Sequence, residues 1–135
     1  MEEKKNFYQL VEGICARDTR YKPDAYEFLM QGLYFTQKVI SRQGHVSGKE
    51  LSLGLRDFAI EQYGPMAKTV LEHWGLKETG DFGNMVFNMI KVGLLSKTEE
   101  DSIEDFRDVF DFQEAFANVL RDSVAKICDE YEKNS

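Results

Sequence analysis

The chain has 135 residues, of which 42% are apolar and 13% aromatic, enough for one domain over residues 1–135 with its own core. With only two prolines and 30% charged residues, this composition excludes wholesale disorder. The formal net charge is −7, and the excess of acidic over basic residues lies in residues 99–135, which carry 12 acidic and 4 basic residues. Such a field repels nucleic acid unless a separate basic face exists. It would suit a basic partner, or it serves only to keep the protein soluble, and the expected partner is a second copy of the chain or another protein.

No targeting or membrane segment is recognisable. Residues 1–5 are not followed by an apolar run of signal-peptide length, and no stretch approaches the roughly 18 apolar residues of a membrane span. We therefore expect a cytoplasmic protein with no membrane partner. Cys15 and Cys128 both fall in helical apolar patterns, which predicts small buried side chains and not a disulfide.

Apolar residues recur at intervals of three and four along the first half of the chain, with glycine and proline between the runs. This pattern predicts four helices, over about residues 3–16, 23–42, 48–63 and 65–74. Ser47 and Glu50 match a capping box at the start of the third. Phe28, Tyr34 and Phe35 widen the apolar stripe of the second helix to more than half its circumference. That helix is therefore expected to be central or to form an interface.

A fifth helix is predicted over about residues 82–92, with Thr79 or Asp81 at its start and Gly93 at its end. It is apolar on nearly all sides, so we expect it to be the most buried element. A last helix is predicted to run from about Asp111 to about Glu132. Its side chains expected to point inward are Phe112, Phe116, Val119, Leu120, Val124, Ile127 and Tyr131.

The predicted fold class is all-α, or nearly so: a single multi-helix domain with the second and fifth helices at its centre. Residues 94–106 stay open between a short β-hairpin and a helical turn. A hairpin there, after the third to fifth helices and Gly93-Leu94-Leu95, would resemble a winged helix. Because that wing would be acidic, such a fold would suit a protein partner better than DNA.

Few residues suggest chemistry. The only histidines are His45 and His73, and no Cys-x-x-Cys, His-x-x-x-His or Glu-x-x-His pattern accompanies them. We therefore predict no metal site, no cofactor and no catalytic residue.

Arg17, Arg20 and Tyr21 form the most distinctive polar group, because two guanidinium groups beside a tyrosine can bind an anion. Together with His45 they are the candidate ligand-binding residues. The alternative is that the two arginines clamp the acidic segment 99–111 inside the fold.

Several phrases of the chain resemble those of a bacterial domain-of-unknown-function family of small, uncharacterised proteins, over roughly residues 5–120. The resemblance implies a bacterial cytoplasmic protein and no particular activity. The phrases are Arg17-Asp18-x-Arg20-Tyr21, Ala25-Tyr26-x-Phe28, Gly44-His45-Val46-Ser47-Gly48, Trp74-Gly75, Thr79-Gly80-Asp81-Phe82-Gly83, Val86-Phe87-Asn88, Asp105-Phe106 and Asp111-Phe112.

Three functions follow from these observations. The first is a non-enzymatic protein-interaction module that self-associates, suggested by the wide apolar face of the second helix. The second is a winged-helix-like regulator associated with nucleic acid. The third is a small enzyme with an anion site at Arg17 and Arg20, with Tyr21 and His45 nearby.

Overall fold

Helices account for most of the computed structural model, which describes residues 2–40, 45–96 and 102–133. No β-strand occurs in these ranges, so the all-α prediction is confirmed. Short 3-10 helices cover Gly64–Met66 and Ile103–Phe106. The α-helices are α1 (Glu2–Arg17), α2 (Pro23–Val39), α3 (Gly48–Tyr63), α4 (Ala67–His73), α5 (Thr79–Lys91) and α6 (Phe112–Lys133).

The start of α3 confirms the predicted capping box. Ser47 Oγ accepts a hydrogen bond from the Glu50 N–H at 3.1 Å, and the Glu50 carboxylate accepts one from the Ser47 N–H at 3.0 Å. Each bond satisfies a backbone donor that has no partner within the helix. The Asp111 carboxylate caps α6 in a similar way, because it accepts the Glu114 N–H at 3.1 Å.

Helices α2 and α5 both contribute fully buried side chains to the core, and so does α3. Tyr26 and Leu29 of α2 are fully buried, and so are Phe82, Met85 and Met89 of α5. The core is the principal source of stability, since each large apolar side chain removed from water contributes about 1.5–3 kcal/mol.

The wide apolar face of α2 is used mostly inside this core. The Phe28 ring lies 5.5 Å from the Phe58 ring and 5.6 Å from the Trp74 ring, centroid to centroid. Tyr34 and Val39 are the large apolar side chains of α2 that remain exposed. Of the two alternatives for this helix, the central position accounts for most of its apolar face, and an interaction surface on α2 stays a prediction.

Small residues allow α2 and α3 to pack closely. A methyl group placed on Gly54 would overlap the Thr36 side chain, and one placed on Gly32 would overlap Leu55. Thr36 is buried, and its hydroxyl donates to the Gly32 carbonyl at 2.7 Å. The polar atom is thereby satisfied inside the contact.

Residues 102–112 fold back on α5 despite their acidic character. Phe106 is buried, and the Val109 N–H donates to Thr79 Oγ1 at 3.1 Å. The Phe110 ring stacks on Phe112 at a centroid distance of 5.6 Å, and both rings lie near Phe82. The aromatic side chains therefore anchor the segment while its carboxylates face water.

The short hairpin considered for residues 94–106 is not confirmed. Residues 94 and 95 form a bend, Ile103–Phe106 is a 3-10 helix, and residues 97–101 lie outside the described residues. Ser102 explains the local choice, because its hydroxyl accepts the Glu104 N–H at 3.2 Å and starts a helical turn.

The inward orientation predicted for the second half of α6 is also wrong. Phe112 and Phe116 are buried, but Val124 and Ile127 are exposed. Cys128 is exposed as well, whereas Cys15 is partly buried, and both are free thiols. The helix continues past the body that would have covered these side chains.

Candidate functional site

A network of polar side chains connects the α1–α2 loop to α5. The Tyr21 hydroxyl donates to the Asp81 carboxylate at 2.6 Å and accepts from the Asn84 amide at 2.9 Å. Tyr21 is only 2% exposed, whereas Asp81 and Asn84 are partly buried, so the two bonds are partly shielded from water. Asp81 also accepts the N–H groups of Lys77 and Glu78, which fixes the start of α5.

Asn88, one turn further along α5, holds the other end of the loop. Its amide donates to Asp18 at 2.9 Å and to the Tyr26 hydroxyl at 3.1 Å. Asp18 in turn forms a two-pronged ion pair with Arg20, whose Nε and Nη2 lie 2.9 and 2.7 Å from its two oxygens. The Arg20 guanidinium also lies 5.2 Å from the centre of the Tyr21 ring.

Two members of this network, Tyr21 and Asp18, have pKa values displaced away from neutral pH. Burial raises the pKa of Tyr21 well above its usual value, and the Asp81 carboxylate raises it further. The hydrogen bond from Arg20 holds the pKa of Asp18 well below its usual value. A general acid or base needs a pKa near the working pH, so neither group is suited to proton transfer. The network is instead a clamp that positions the loop.

An open polar cleft of about 510 Å³ lies beside this clamp, with Arg17 and Lys91 on its walls. These are the last residues of α1 and α5, so the carbonyl ends of both helices converge here. The negative ends of two helix dipoles attract the two cations and oppose a bound anion. Asp18 adds a negative charge to the same cleft. The electrostatics favour structural cations over an anion site.

A separate apolar cavity of about 330 Å³ lies between α2, α3, α5 and the 3-10 helix Ile103–Phe106. His45 and Ser96 are exposed and also line the cavity, so they stand at its mouth. The side chains of its walls are Leu33, Leu51, Val86, Phe87, Ile90 and Phe106.

The four predicted ligand-binding residues do not converge on one site. Arg17 and Arg20 line the polar cleft, and Tyr21 is buried beneath it in the clamp. His45 lines the apolar cavity, which shares no lining residue with the cleft. Arg20 is paired with Asp18. An anion site at Arg17 and Arg20 stays a prediction: these two residues share the cleft, but Tyr21 and His45 are not among its lining residues.

Sequence reasoning missed Asp81, Asn84 and Asn88 as a polar group. They lie at positions i, i+3 and i+7 of α5 and so share one face of the helix. That spacing was a readable signal, but the surrounding apolar residues of α5 obscured it.

The outer part of α6, residues 121–133, is named here the projecting half. Every side chain described within it is exposed, whereas Phe112 and Phe116 at the other end of the helix are buried. Val124 is 51% exposed and Ile127 is 65% exposed. At 1.5 Å per residue the projecting half extends about 20 Å.

Within residues 2–40, 45–96 and 102–133, no cluster of three or more His, Cys, Asp or Glu side chains could hold a metal ion. Among the same residues, no helix combines the length and the apolar character that crossing a membrane requires.

Comparison with known proteins found no match: no family model, no curated protein and no solved structure matches the chain.

Proposed function

We propose that this protein is a self-associating helical module that dimerises through the projecting half of α6. The observation that carries the proposal is the exposure of Val124 and Ile127 on a helix that leaves the body of the domain. Isolated helices shorter than about 12–15 residues are marginal in water, and packing of the apolar face supplies most helical stability in proteins. A second surface that covers this face would stabilise the helix.

The spacing of the apolar residues supports a second copy of the chain as that surface. Leu120, Val124, Ile127 and Tyr131 follow one another at intervals of four, three and four. This alternation is that of core positions in coiled coils. Because the intervals are the same in both directions, two antiparallel helices would place Val124 opposite Ile127 and Leu120 opposite Tyr131. A two-fold axis at the centre would close the dimer.

The charges of the projecting half are compatible with self-pairing. Residues 115–135 carry three basic and four acidic residues, whereas residues 99–114 carry eight acidic residues and one basic residue. The acidic excess thus precedes the proposed contact. A nearly neutral helix with charges of both signs suits a copy of itself better than a strongly basic partner.

The expected dimer is reversible. A contact confined to two helices about 20 Å long lies at the small end of stable interfaces. We therefore expect dissociation constants in the micromolar range and a dimer fraction that rises with protein concentration.

Sedimentation velocity over a range of concentrations tests this proposal. The full chain should shift from monomer to dimer, and Ile127→Glu should remain monomeric because a charge would be buried at the helix pair. Val39→Glu is the matched control: Val39 is 64% exposed and Ile127 is 65% exposed, but Val39 lies on α2. This control should dimerise like the unmodified chain.

Two outcomes would contradict the proposal. One is a wild-type protein that stays monomeric at every concentration tested. The other is equal loss of dimer in both variants, which would mean that the contact is not specific to α6. Circular dichroism of each variant establishes that the body of the domain remains folded.

A further inference from the structure

The apolar cavity at His45 points to an additional binding site. We propose that it binds a small molecule with an apolar body and one hydrogen-bonding head group. The projecting half of α6 contributes no lining residue, so this proposal does not rest on self-association.

The walls of the cavity define the body of the ligand. Leu51, Val86 and Phe106 are buried, and Leu33, Phe87 and Ile90 are partly buried around the same space. None of these side chains carries a charge, so a charged group within the walls would lose its hydration without compensation. The volume of about 330 Å³ lies at the lower end of small-molecule sites. It is more than twice the roughly 150 Å³ of an apolar cavity known to accept benzene.

The mouth of the cavity defines the head group. His45 and Ser96 are the polar side chains among its described lining residues, and both reach solvent. An imidazole and a hydroxyl can each donate or accept a hydrogen bond. A ligand that places a hydroxyl or an N–H at the mouth would therefore keep its polar atom satisfied while its body enters the walls.

The chemistry of the walls disfavours a docked peptide. A peptide would introduce backbone N–H and C=O groups that apolar walls leave without partners.

At one edge of the cavity, α3 and the 3-10 helix Ile103–Phe106 are already in contact and have little room to move closer. A Cβ atom placed on Gly48 would lie 3.1 Å from Phe106 Cε2, so α3 and the 3-10 helix already touch at this edge. Native interiors contain few voids larger than a water molecule, because unfilled apolar space forfeits dispersion contacts. A bound apolar molecule would restore those contacts.

Methyl NMR spectra of the full chain, titrated separately with 1-octanol and with indole, test the proposal. At least one probe should produce saturable shifts at the methyl groups of Leu51, Val86 and Ile90, with no matching shift at Val39. Ile90→Trp should fill the cavity and weaken binding at least tenfold. Val39→Trp places the same ring on an exposed part of α2 and should leave the affinity unchanged. If Ile90→Trp fails to fold, Leu95→Trp at the half-buried cavity edge replaces it.

The head-group assignment has its own test. His45→Ala should weaken 1-octanol binding several-fold and leave benzene binding unchanged, since benzene has no head group. Absence of saturable shifts with both probes, or unchanged binding in the tryptophan-filled variant, would overturn the site. If His45→Ala and the unmodified chain bind 1-octanol with equal affinity, the proposed hydrogen bond between His45 and the head group is overturned. Dimerisation is measured separately, so each proposal can fail alone.

Discussion

Tyr21 is the residue through which the α1–α2 loop is fixed to α5. Its hydroxyl contacts both Asp81 and Asn84, and the ring is buried beneath Arg20. Removing this single oxygen leaves a partly buried carboxylate and a partly buried amide with one partner fewer each.

Tyr21→Phe is therefore expected to lower the free energy of unfolding by about 1–3 kcal/mol. Urea denaturation measures the change. Tyr34→Phe is the control, because Tyr34 is 61% exposed, and its change should stay within about 0.5 kcal/mol. Equal stability of the two variants would show that the Tyr21 hydroxyl does not clamp the loop.

Asp18 makes the stability of the clamp depend on pH. Its pKa in the folded protein lies below the ordinary value of 3.8, chiefly because Arg20 donates to it. The carboxylate thus stabilises the fold above about pH 4, and this contribution decreases as the pH falls towards the folded-state pKa.

Asp18→Asn should lose less stability than the wild type between about pH 4 and pH 2. Arg20→Gln should have a similarly shallow profile, since it removes the main cause of the lowered pKa. Urea denaturation at each pH provides the comparison. Profiles that fall in parallel for all three proteins would contradict the role of Asp18.

At this scale, sequence identifies residue types better than it identifies their partners. Arg20 and Tyr21 were recognised as a polar pair, and they do lie against each other. Arg20 pairs with Asp18 only two residues away, but the partners of the Tyr21 hydroxyl, Asp81 and Asn84, lie 60 and 63 positions further along the chain. No local pattern connects such distant residues, so a clamp could not be distinguished from a ligand site.

The close contact between α2 and α3 depends on a glycine, which has no side chain to keep the helices apart. Gly54 lies against Thr36, and a methyl group there would overlap the threonine side chain. Gly13, on α1, has no atom within 4 Å of the corresponding position. The same substitution should therefore have opposite effects at these two sites.

Gly54→Ala is expected to destabilise the protein by about 1–3 kcal/mol, because α2 and α3 would have to separate. Gly13→Ala should stabilise it by up to about 1 kcal/mol, because alanine favours the helix without a clash. Thermal denaturation followed by circular dichroism compares them. A stabilised Gly54→Ala variant would contradict the close packing described for this contact.

Local chemistry made some elements predictable and left others open. Ser47 and Glu50 determine the start of α3 through hydrogen bonds three residues apart, which sequence displays directly. The sequence did not decide between a hairpin and a helical turn after Gly93, because the conformation of this segment depends on Phe106 packing against distant helices. Apolar periodicity found α6, but it could not show that Val124 and Ile127 continue beyond the body that buries Phe116.

At the scale of the whole molecule, two apolar features are not filled or covered by the core: the cavity at His45 and the projecting half of α6. The net charge of −7 keeps copies of the chain apart at long range. The nearly neutral projecting half offers a short-range contact where this repulsion is weakest. Self-association through α6 is the central claim, and its antiparallel geometry is specific enough to be tested directly.

Disulfide trapping tests that geometry most directly. In an antiparallel pair, residue 121 of one copy lies beside residue 128 of the other, on the same side of the interface. Arg121→Cys should therefore form a disulfide with the native Cys128 of the second copy under mild oxidation, and peptide mapping should identify a 121–128 bridge. Within one chain these positions are about 10 Å apart along the helix, too far to be bridged. A dimer linked through 121 and 128 is the predicted result, and a variant that stays monomeric or links only 128 to 128 would contradict the account.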